Sequence, residues 1–276
     1  MKHAILASLL CALTASAVNG VATYKFPQCT VTCIQDVHMR HRASLFSDTR
    51  NSGFRQTANS YDSSVNVFLL QSVGFVSMID AGHMQGKGSL RNKLEHLRIS
   101  PDSVTSIFIT HIHPDHVGGL VWNNKPLFPN ATLYIAREEY DAWKKDSKRA
   151  ALGRFITPYQ KRLNLFEYEK PLPGGLIPIK KAGHTPGHTI FKLNVTPQQG
   201  ICFVGDILHA VELQVPHPTF CAAYDSDPQT AIESRLEVFK EKSLLFGAHF
   251  PFPGCAEIVT ATSGNAEFIY KPKSTN

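Results

Sequence analysis

The sequence of 276 residues lacks the features that divide a chain into several units. It contains no long Gly/Ser-rich or Pro-rich stretch, no block of like charge and no low-complexity run that would serve as a linker. No repeat of the period expected for solenoids or propellers is visible. Because 43% of the residues are hydrophobic, a chain of this length can bury a substantial core. We therefore predict a single large domain over residues 18–276.

The chain also lacks an apolar run long enough for a comfortable transmembrane helix. A shorter apolar run extends from Ala4 to about Ala17, follows Lys2 and His3, and ends in the small residues Ala15–Ala17. This order of positive charge, apolar core and small-x-small site is typical of a signal peptide. We expect residues 1–17 to be cleaved and the mature protein to be secreted or periplasmic.

The cysteines lack the spacing of a zinc ribbon, which favours a structural role for them. In an oxidising compartment Cys29 and Cys33 can close a small loop, or either can pair with a distant partner. An odd count leaves at least one thiol unpaired. The five cysteines outside the predicted signal peptide are Cys29, Cys33, Cys202, Cys221 and Cys255.

Positive charge is in excess, but no strongly basic patch accompanies it. The net charge is +6 and the pI about 9.0, which would favour anionic surfaces or polyanions. However, Lys and Arg are scattered, with only short clusters such as Lys144-Lys145 and Lys180-Lys181. We therefore expect a small-molecule substrate and no nucleic-acid partner. The oligomeric state stays open, a dimer included.

Hydrophobic patterning predicts an α/β fold in which two sheets pack between helices. The polar segment from His38 to Thr57 is interpreted as an irregular loop over the functional site. Helices are predicted at Ser89–Leu97, Arg137–Lys145, Arg154–Leu163 with an interruption at Pro158, and from Asp227-Pro228 to about Lys240. Strands are predicted at Cys29–Ile34, Val65–Gln71, Phe75–Ile79, Ser106–Ile109, Ala131–Ile135, Ile177–Ile179, Ile190–Val195, Ile201–Val204, Leu244–Phe246, Glu257–Thr262 and Ala266–Tyr270.

A cluster of histidines follows the predicted strand Ser106–Ile109. The segment Thr110–Gly119 reads T-H-I-H-P-D-H-V-G-G, so three imidazoles and a carboxylate fall within six residues. Proline and the paired glycines end the strand, which places these side chains on a loop at its carboxyl end. Imidazole nitrogens and carboxylate oxygens suit zinc, and also iron or manganese. His111 and His113 can hold one ion from an extended segment, and Asp115 and His116 would face a second.

Candidate ligands recur after other predicted strands. His184, Asp206 and His249 each follow an apolar run, and Asp80 follows Phe75–Ile79. A lone histidine after a strand is usually a surface or core residue, and a His-rich turn can simply be solvated. The histidine loop, His184, Asp206 and His249 make four such events in one chain, and together they predict a metal centre.

The T-H-x-H-x-D-H loop, the G-H-T-P-G-H loop at 183–188, the Gly205-Asp206 pair and His249 together resemble the metallo-β-lactamase superfamily. The resemblance covers Asp80 to Gly254 and implies a four-layer αββα sandwich that holds one or two metals along its edge. The segment His249–Gly254 further resembles the exported methyl parathion hydrolase and lactonase-like branch.

The resemblance also implies the roles of individual residues. A first metal would be held by His111, His113 and His184, and a second by Asp115, His116 and His249. Asp206 would bridge two Zn²⁺ ions, although other divalent metals also suit these ligands. Asp80 would support the histidine loop from outside the ligand set. His188 is interpreted as structural or as part of the same outer layer.

The expected activity is hydrolysis of a small ester, either an aryl ester, a lactone or an organophosphate triester. Two such metals share a water and lower its pKa, so a bridging hydroxide would attack the ester, with Asp115 or Asp206 as the candidates to carry a proton onward. Trp122, Phe250 and Phe252 are candidates for an apolar substrate pocket, with core packing as the alternative.

Other activities are less favoured by the residues. One alternative keeps the site but uses a single iron or zinc ion for thioester or persulfide chemistry, as in glyoxalase II or sulfur dioxygenases. β-Lactam hydrolysis is disfavoured because Asp206 resembles the bridging aspartate of the hydrolase and lactonase branches. A binding protein without activity would have lost ligands, and all seven positions are filled.

Overall fold

The structure, a computed structural model, describes residues 14–50, 56–146, 152–261 and 268–273. The five α-helices of these residues are α1 (Leu90–His96), α2 (Pro114–Val117), α3 (Arg137–Lys145), α4 (Val211–Gln214) and α5 (Pro228–Phe239). The strands before residue 170 are β1 (Thr14–Val18), β2 (Val21–Lys25), β3 (Thr30–Arg42), β4 (Phe46–Asp48), β5 (Ser60–Ser72), β6 (Phe75–Ile79), β7 (Ser106–Phe108), β8 (Val121–Trp122), β9 (Lys125–Pro126), β10 (Thr132–Ala136) and β11 (Leu163–Phe166). The later strands are β12 (Ile177–Lys180), β13 (Thr189–Thr196), β14 (Gln199–Gly205), β15 (Phe220–Ala222), β16 (Leu244–Gly247), β17 (Cys255–Thr260) and β18 (Phe268–Pro272).

Two large sheets organise the described residues. The first has the order β1-β2-β3-β5-β6-β7-β10-β11, and the second the order β12-β13-β14-β16-β17-β18. Each sheet contains parallel neighbours, β6 with β7 in the first and β14 with β16 in the second. The carboxyl ends of parallel neighbours meet at one edge of a sheet. Asp80 and the histidine loop therefore emerge side by side, as do Asp206 and His249.

Side-chain alternation along the strands produces the layers. On β5, Phe68 and Leu70 point into the core between the sheets, whereas Val67 and Leu69 pack beneath Leu90 and Leu94 of α1. The second sheet behaves alike: Phe203 faces the inter-sheet core, and Val204 packs with Val238 of α5. This arrangement of helix, sheet, sheet and helix confirms the predicted αββα sandwich.

Strand β3 differs most from its prediction. It was expected to end at Ile34, but it continues to Arg42 through a bulge between Gln35 and Val37. Asp36 at the bulge is buried and accepts hydrogen bonds from the backbone N–H groups of His83, Ser89 and Leu90. These hydrogen bonds fix the segment between β6 and α1. The prediction of an irregular loop from His38 to Thr57 was therefore wrong as far as Arg42, and again at β4, which pairs with β15. Residues 51–55 of that segment lie outside the described residues.

The predicted helices agree with the structure except at one place. Helix α3 has the expected bounds, and Asp227 caps α5 by accepting a hydrogen bond from the Thr230 backbone N–H. Residues Arg154–Leu163 do not form an α-helix. Leu152–Ile156 forms a π-helical turn and Thr157–Arg162 a 3₁₀ segment, because Pro158 cannot donate an α-helical hydrogen bond.

The N-terminal and cysteine predictions meet the structure only in part. Residues 1–13 of the predicted signal peptide lie outside the described residues, and Thr14–Val18 pair with β2 at the edge of the first sheet. The five described cysteines are all free and buried. Cys29 and Cys33 lie four residues apart on extended chain, roughly 13 Å, which is too far for a disulfide. Among the described residues, no helix has the length and apolarity to cross a membrane.

Candidate metal centre

The local sequence explains how the histidine loop presents its side chains. The chain leaves β7 in an extended conformation that persists to His113, and Pro114 then starts the short helix α2. Asp80 accepts hydrogen bonds from the Thr110 backbone N–H and hydroxyl, both at 2.8 Å. Asp80 itself has φ 59°, a left-handed conformation that is unusual for a residue other than glycine. The start of the loop is thus fixed from the neighbouring strand.

A first set of potential ligand atoms converges from three segments of chain. His113 Nδ1 lies 2.8 Å from His111 Nε2 and 2.9 Å from His184 Nε2. Asp206 Oδ2 lies 3.2 Å from His184 Nε2 and 3.6 Å from His111 Nε2. These four residues offer ligand atoms within 4.8 Å of one another, which is the arrangement that a bound metal requires.

A second set lies beside the first. His116 Nε2 is 3.8 Å, and His249 Nε2 3.5 Å, from Asp115 Oδ2. Asp206 reaches this set as well, since its Oδ1 is 3.1 Å from His116 Nε2 and its Oδ2 is 3.2 Å from His249 Nε2. The structure therefore brings together all seven predicted ligands, with the carboxylate of Asp206 between the two sets.

The opposite nitrogens of three ligand imidazoles are held by hydrogen bonds. His184 Nδ1 donates to Asp225 Oδ1 at 2.8 Å, and His116 Nδ1 donates to Asp80 Oδ2 at 2.8 Å. His249 Nδ1 donates to a backbone carbonyl, that of Ser64, at 2.7 Å. Each of these bonds leaves the Nε2 lone pair facing Asp206, which is the tautomer that a metal ligand needs.

Two buried atoms test whether the residues fit a metal. His116 Nε2 and Asp206 Oδ1 are both inaccessible, and although they lie 3.1 Å apart, neither forms a hydrogen bond of good geometry among the described residues. Leaving such atoms unpaired is costly. A divalent cation bound by nitrogen and oxygen would satisfy both, so the donor set fits such a metal.

The carboxylates and imidazoles of the centre shift one another's pKa values. Burial alone would raise the pKa of Asp206, but the surrounding imidazoles, led by His116 and His249, hold that pKa well below its usual range. Burial would lower the pKa of His184, yet Asp206 and Asp225 raise it to about 9. A proton therefore competes with a metal ion for His184 at neutral pH.

Glu139 of α3 ties the two histidine loops together. This carboxylate is fully buried and accepts hydrogen bonds from Ile112 N–H at 2.9 Å and Gly187 N–H at 2.9 Å. It also accepts from the Thr185 hydroxyl and from the Trp143 indole, both at 2.8 Å. Burial raises the pKa of Glu139, and these donors oppose that shift. One side chain thus sets the spacing of the His111 and His184 loops.

His188 supports Asp206 through the backbone. Its Nδ1 donates to the Lys181 carbonyl at 3.0 Å, and its Nε2 accepts from the Asp206 backbone N–H at 3.0 Å. Burial lowers the pKa of His188 to about 3, so its imidazole stays neutral. Gly205 adopts φ 51°, and a side chain there would approach His188 Nε2 to 2.6 Å. His188 therefore packs behind the centre and orients its central carboxylate.

A cavity of about 260 Å³ opens over the second set. Its walls include His41, His209 and Tyr224, which the sequence did not identify, together with predicted ligands such as Asp115. His209 Nε2 lies 3.1 Å from Asp206 Oδ2. A second cavity of about 540 Å³ adjoins His113 and is lined by Trp143 and Tyr224. The two cavities share His113 and Tyr224.

The three aromatic residues predicted for the pocket lie elsewhere. Phe250 is fully buried and packs on Tyr270, in the core between the second sheet and α5. Phe252 packs against the inter-sheet core. Trp122 stacks with Arg91 in a different groove, along α1. In their place Trp143, which the sequence did not identify, packs edge-on to His113 at 5.5 Å.

Several residues of the centre and of the cavity wall could hardly be predicted from the sequence. His209 follows Asp206 by three residues, and that spacing could have identified it. Asp225 precedes a helix cap and resembles an ordinary turn residue, and Glu139 belongs to an ordinary exposed-looking helix pattern. His41 lies in a segment that was interpreted as a loop.

Comparisons with known proteins agree with this geometry. The sequence model of the metallo-β-lactamase superfamily matches residues 61–249 of this chain. The N-acyl homoserine lactonase AiiA of Bacillus thuringiensis subsp. kurstaki is 26% identical over 165 residues, which cover 57% of this chain and 60% of the lactonase. The chain thus spans about 60% of the length of such curated relatives.

Two solved structures extend the likeness to most of the chain. The hydrolase AbOPH, of the β-lactamase superfamily, shares 27% identity and a TM-score of 0.79, covering 94% of this chain and 99% of that one. AidC, a dizinc quorum-quenching lactonase solved with a product, shares 25% identity and a TM-score of 0.80, covering 92% and 98%.

Proposed function

Because the chain belongs to the metallo-β-lactamase superfamily, we propose that it is a metal-dependent hydrolase, a dinuclear zinc enzyme that hydrolyses small esters, with lactones as its preferred class. The observation that carries this proposal is the position of Asp206, whose carboxylate lies within 3.6 Å of ligand nitrogens in both sets. The lactonase relatives support the substrate class.

The residues of the chain divide the work of such a reaction. His111, His113 and His184 would hold one ion, Asp115, His116 and His249 the other, and Asp206 both. When bound, paired zinc ions lower the pKa of a water and polarise the oxygen of the ester that is attacked. Glu139, Asp80 and Asp225 keep the ligand loops in place, so little reorganisation is needed during the reaction.

Asp115 is the better placed of the two carboxylates for proton transfer. Its side chain is 26% exposed and lines the cavity, whereas the Asp206 side chain is almost fully enclosed. Burial would raise the pKa of Asp115, but His116 and His249 hold it below its usual value. Asp115 is thus a carboxylate at the cavity wall, where it can accept a proton from the attacking water and release it to the leaving group.

The adjoining cavity suits an apolar arm of the substrate. Trp143 and Tyr224 present aromatic surface beside His113, and Ala142, Ala223 and Pro186 add apolar surface. Asp146, Thr185 and Ser226 supply polar groups to the same lining. Pockets of this kind take the apolar part of a ligand while a few polar groups fix its orientation.

We also propose export, with the N-terminal signal pattern as its support. Cleavage after Ala17 would remove most of β1 and leave β2 at the edge of the sheet. N-terminal sequencing of protein recovered outside the cytoplasm would give Val18 as the first residue. A mature protein that retains Met1 would contradict this proposal.

The substrate proposal is tested with a panel containing an N-acyl homoserine lactone, an alkyl lactone, an aryl acetate and an aryl phosphotriester. We expect lactones to be hydrolysed fastest, with activity lost after chelation and restored by zinc. A zinc-loaded protein that hydrolyses none of these compounds would overturn the proposal. Turnover of a thioester or persulfide by an iron-loaded protein would instead assign it to the alternative class.

A further inference from the structure

One imidazole in the cavity wall has no assigned task. His41 lies near the end of β3, paired in register with Tyr61 of β5, and is only 7% exposed. Its ring packs edge-on against His249 at 5.5 Å, His209 at 5.9 Å and Phe46 at 5.9 Å. The extension of β3 beyond its bulge is what carries His41 to the cavity.

The ring nitrogen His41 Nε2 is buried and has no hydrogen-bond partner among the described residues. The ligand histidines behave differently, because His184, His116 and His249 each donate their outer nitrogen to an oxygen atom. His41 belongs to neither set of converging ligand atoms. The side chain of His41 thus forms part of the cavity wall, and its buried, unpaired nitrogen serves neither set of ligands.

A second histidine on the same strand provides an internal comparison. His38 is exposed, and its Nε2 lies 2.9 Å from Asp62 Oδ1. A histidine on the outer surface of β3 thus has a polar partner, whereas the one that faces the cavity does not. Packing alone does not account for His41, since a phenyl ring would satisfy the same edge-on contacts without burying an unpaired nitrogen.

We propose that His41 is a specificity-determining residue, whose imidazole hydrogen-bonds a polar group of the substrate outside the ester that is hydrolysed, such as an amide. The inference rests on the proposed function, because it requires the ester to react at the metal centre. His249 and His209 both approach Asp206, and His41 lies one ring beyond them. A group that contacts His41 is therefore displaced from the reacting carbonyl by about the length of a short side arm.

The test compares two lactones and three variants of the zinc-loaded protein. N-Hexanoyl-homoserine lactone carries an amide, and γ-decalactone has an alkyl arm without one. His41→Phe keeps the ring packing and removes the hydrogen bond, whereas His41→Gln keeps a polar group. His38→Ala is the matched control on the same strand. Kinetics are paired with calorimetric binding of the two hydrolysis products and with metal content.

For His41→Phe, we expect KM for the amide-bearing lactone to rise, and affinity for its product to fall, by about 3- to 10-fold. Values for γ-decalactone should stay within about twofold, metal content should not change, and His41→Gln should recover part of the loss. Equal effects on both lactones, or no effect on either, would overturn the role of His41. Wild-type protein that hydrolyses neither lactone would instead overturn the proposed function, and this inference with it.

Discussion

The histidines of the metal centre and those of the cavity wall differ in how their nitrogens are bonded. In the centre, His116, His184 and His249 each have one nitrogen fixed by an oxygen and the other facing Asp206. In the wall, His41 Nε2 and His209 Nδ1 are buried without a partner among the described residues. The centre is thus preorganised for bound ions, whereas each of these wall histidines keeps one buried nitrogen that no ligand set uses.

The largest effect should follow from loss of a ligand atom at the centre. His113→Ala removes the nitrogen on which His111 and His184 converge. We expect kcat/KM for lactone hydrolysis to fall by more than about 100-fold, together with the loss of about one metal ion per chain, measured by elemental analysis.

His96→Ala serves as the control for that experiment, because His96 lies exposed at the end of α1. Its activity and metal content should match those of the wild type. Retention of full metal content and activity by His113→Ala would show that the first set does not hold an ion.

A smaller loss should follow when only the partner of a ligand is changed. In Asp225→Asn the carboxylate that accepts from His184 Nδ1 becomes a weaker acceptor. Zinc affinity should fall by about 10- to 100-fold, as measured by competition with a chelator.

Asp227→Asn is the matched control, since asparagine caps a helix about as well as aspartate does and the Asp227 side chain bonds to Thr230 at the start of α5. The substitution leaves the backbone N–H of this residue, which donates to the Gly183 carbonyl, in place. Its zinc affinity should not change. Equal zinc affinities of the two variants would contradict the role of Asp225 in orienting the ligand His184.

The residues changed in these two experiments, His113 and Asp225, differ in how readily their roles could be predicted from the sequence. The ligands could be predicted because each lies directly after a strand and because the T-H-x-H-x-D-H spacing is specific. The amphipathic helices α3 and α5 could be predicted from local patterns as well. Such features depend on neighbours within a few positions in the chain.

The remaining features depend on contacts between distant segments. Glu139 bonds Ile112 and Gly187, which are 27 and 48 positions away. Phe250 was expected in the pocket because it follows His249 in sequence, yet it packs in the core between the second sheet and α5. His41 reached the wall only because a bulge let β3 continue. No local pattern contains that information.

A substitution at Glu139 tests a residue that supports the metal centre without being one of its ligands. In Glu139→Gln an amide group replaces an acceptor that receives four hydrogen bonds. We expect the free energy of unfolding to fall by about 1–3 kcal/mol in denaturant titrations, because a buried donor is then left unsatisfied.

Glu138→Gln is the neighbouring control. Glu138 pairs with Lys180 at 2.6 Å, but both side chains are nearly half exposed. Exposed pairs of this kind contribute at most about 1 kcal/mol. A loss at position 138 as large as that at 139 would refute the role assigned to the buried carboxylate.

The smallest predicted effect is a pH dependence of the metal-free protein. The folded-state pKa of His184 is raised to about 9 by Asp206 and Asp225, which outweigh burial. The stabilisation from its protonated form should be complete below the unfolded value near 6.5 and should decline as pH rises toward 9. Burial lowers the pKa values of His113 and His188 in the folded protein. Below the unfolded value near 6.5, the unfolded chain therefore binds more protons at these residues, and the free energy of unfolding should decrease as pH falls.

Thermal melts of the chelated protein should therefore show a maximum near neutral pH and a decrease by pH 9. With zinc bound, the alkaline decrease should disappear, because deprotonated imidazoles bind the metal more tightly. A metal-free protein whose melting temperature rises steadily from pH 6.5 to pH 9 would contradict the electrostatics of the centre.

The most direct test of the dinuclear centre is elemental analysis of the purified mature protein, paired in the same sample with lactone turnover. We predict about two zinc ions per chain and hydrolysis that follows the zinc content. A single iron ion per chain, with no hydrolysis of any lactone, would contradict the central claim.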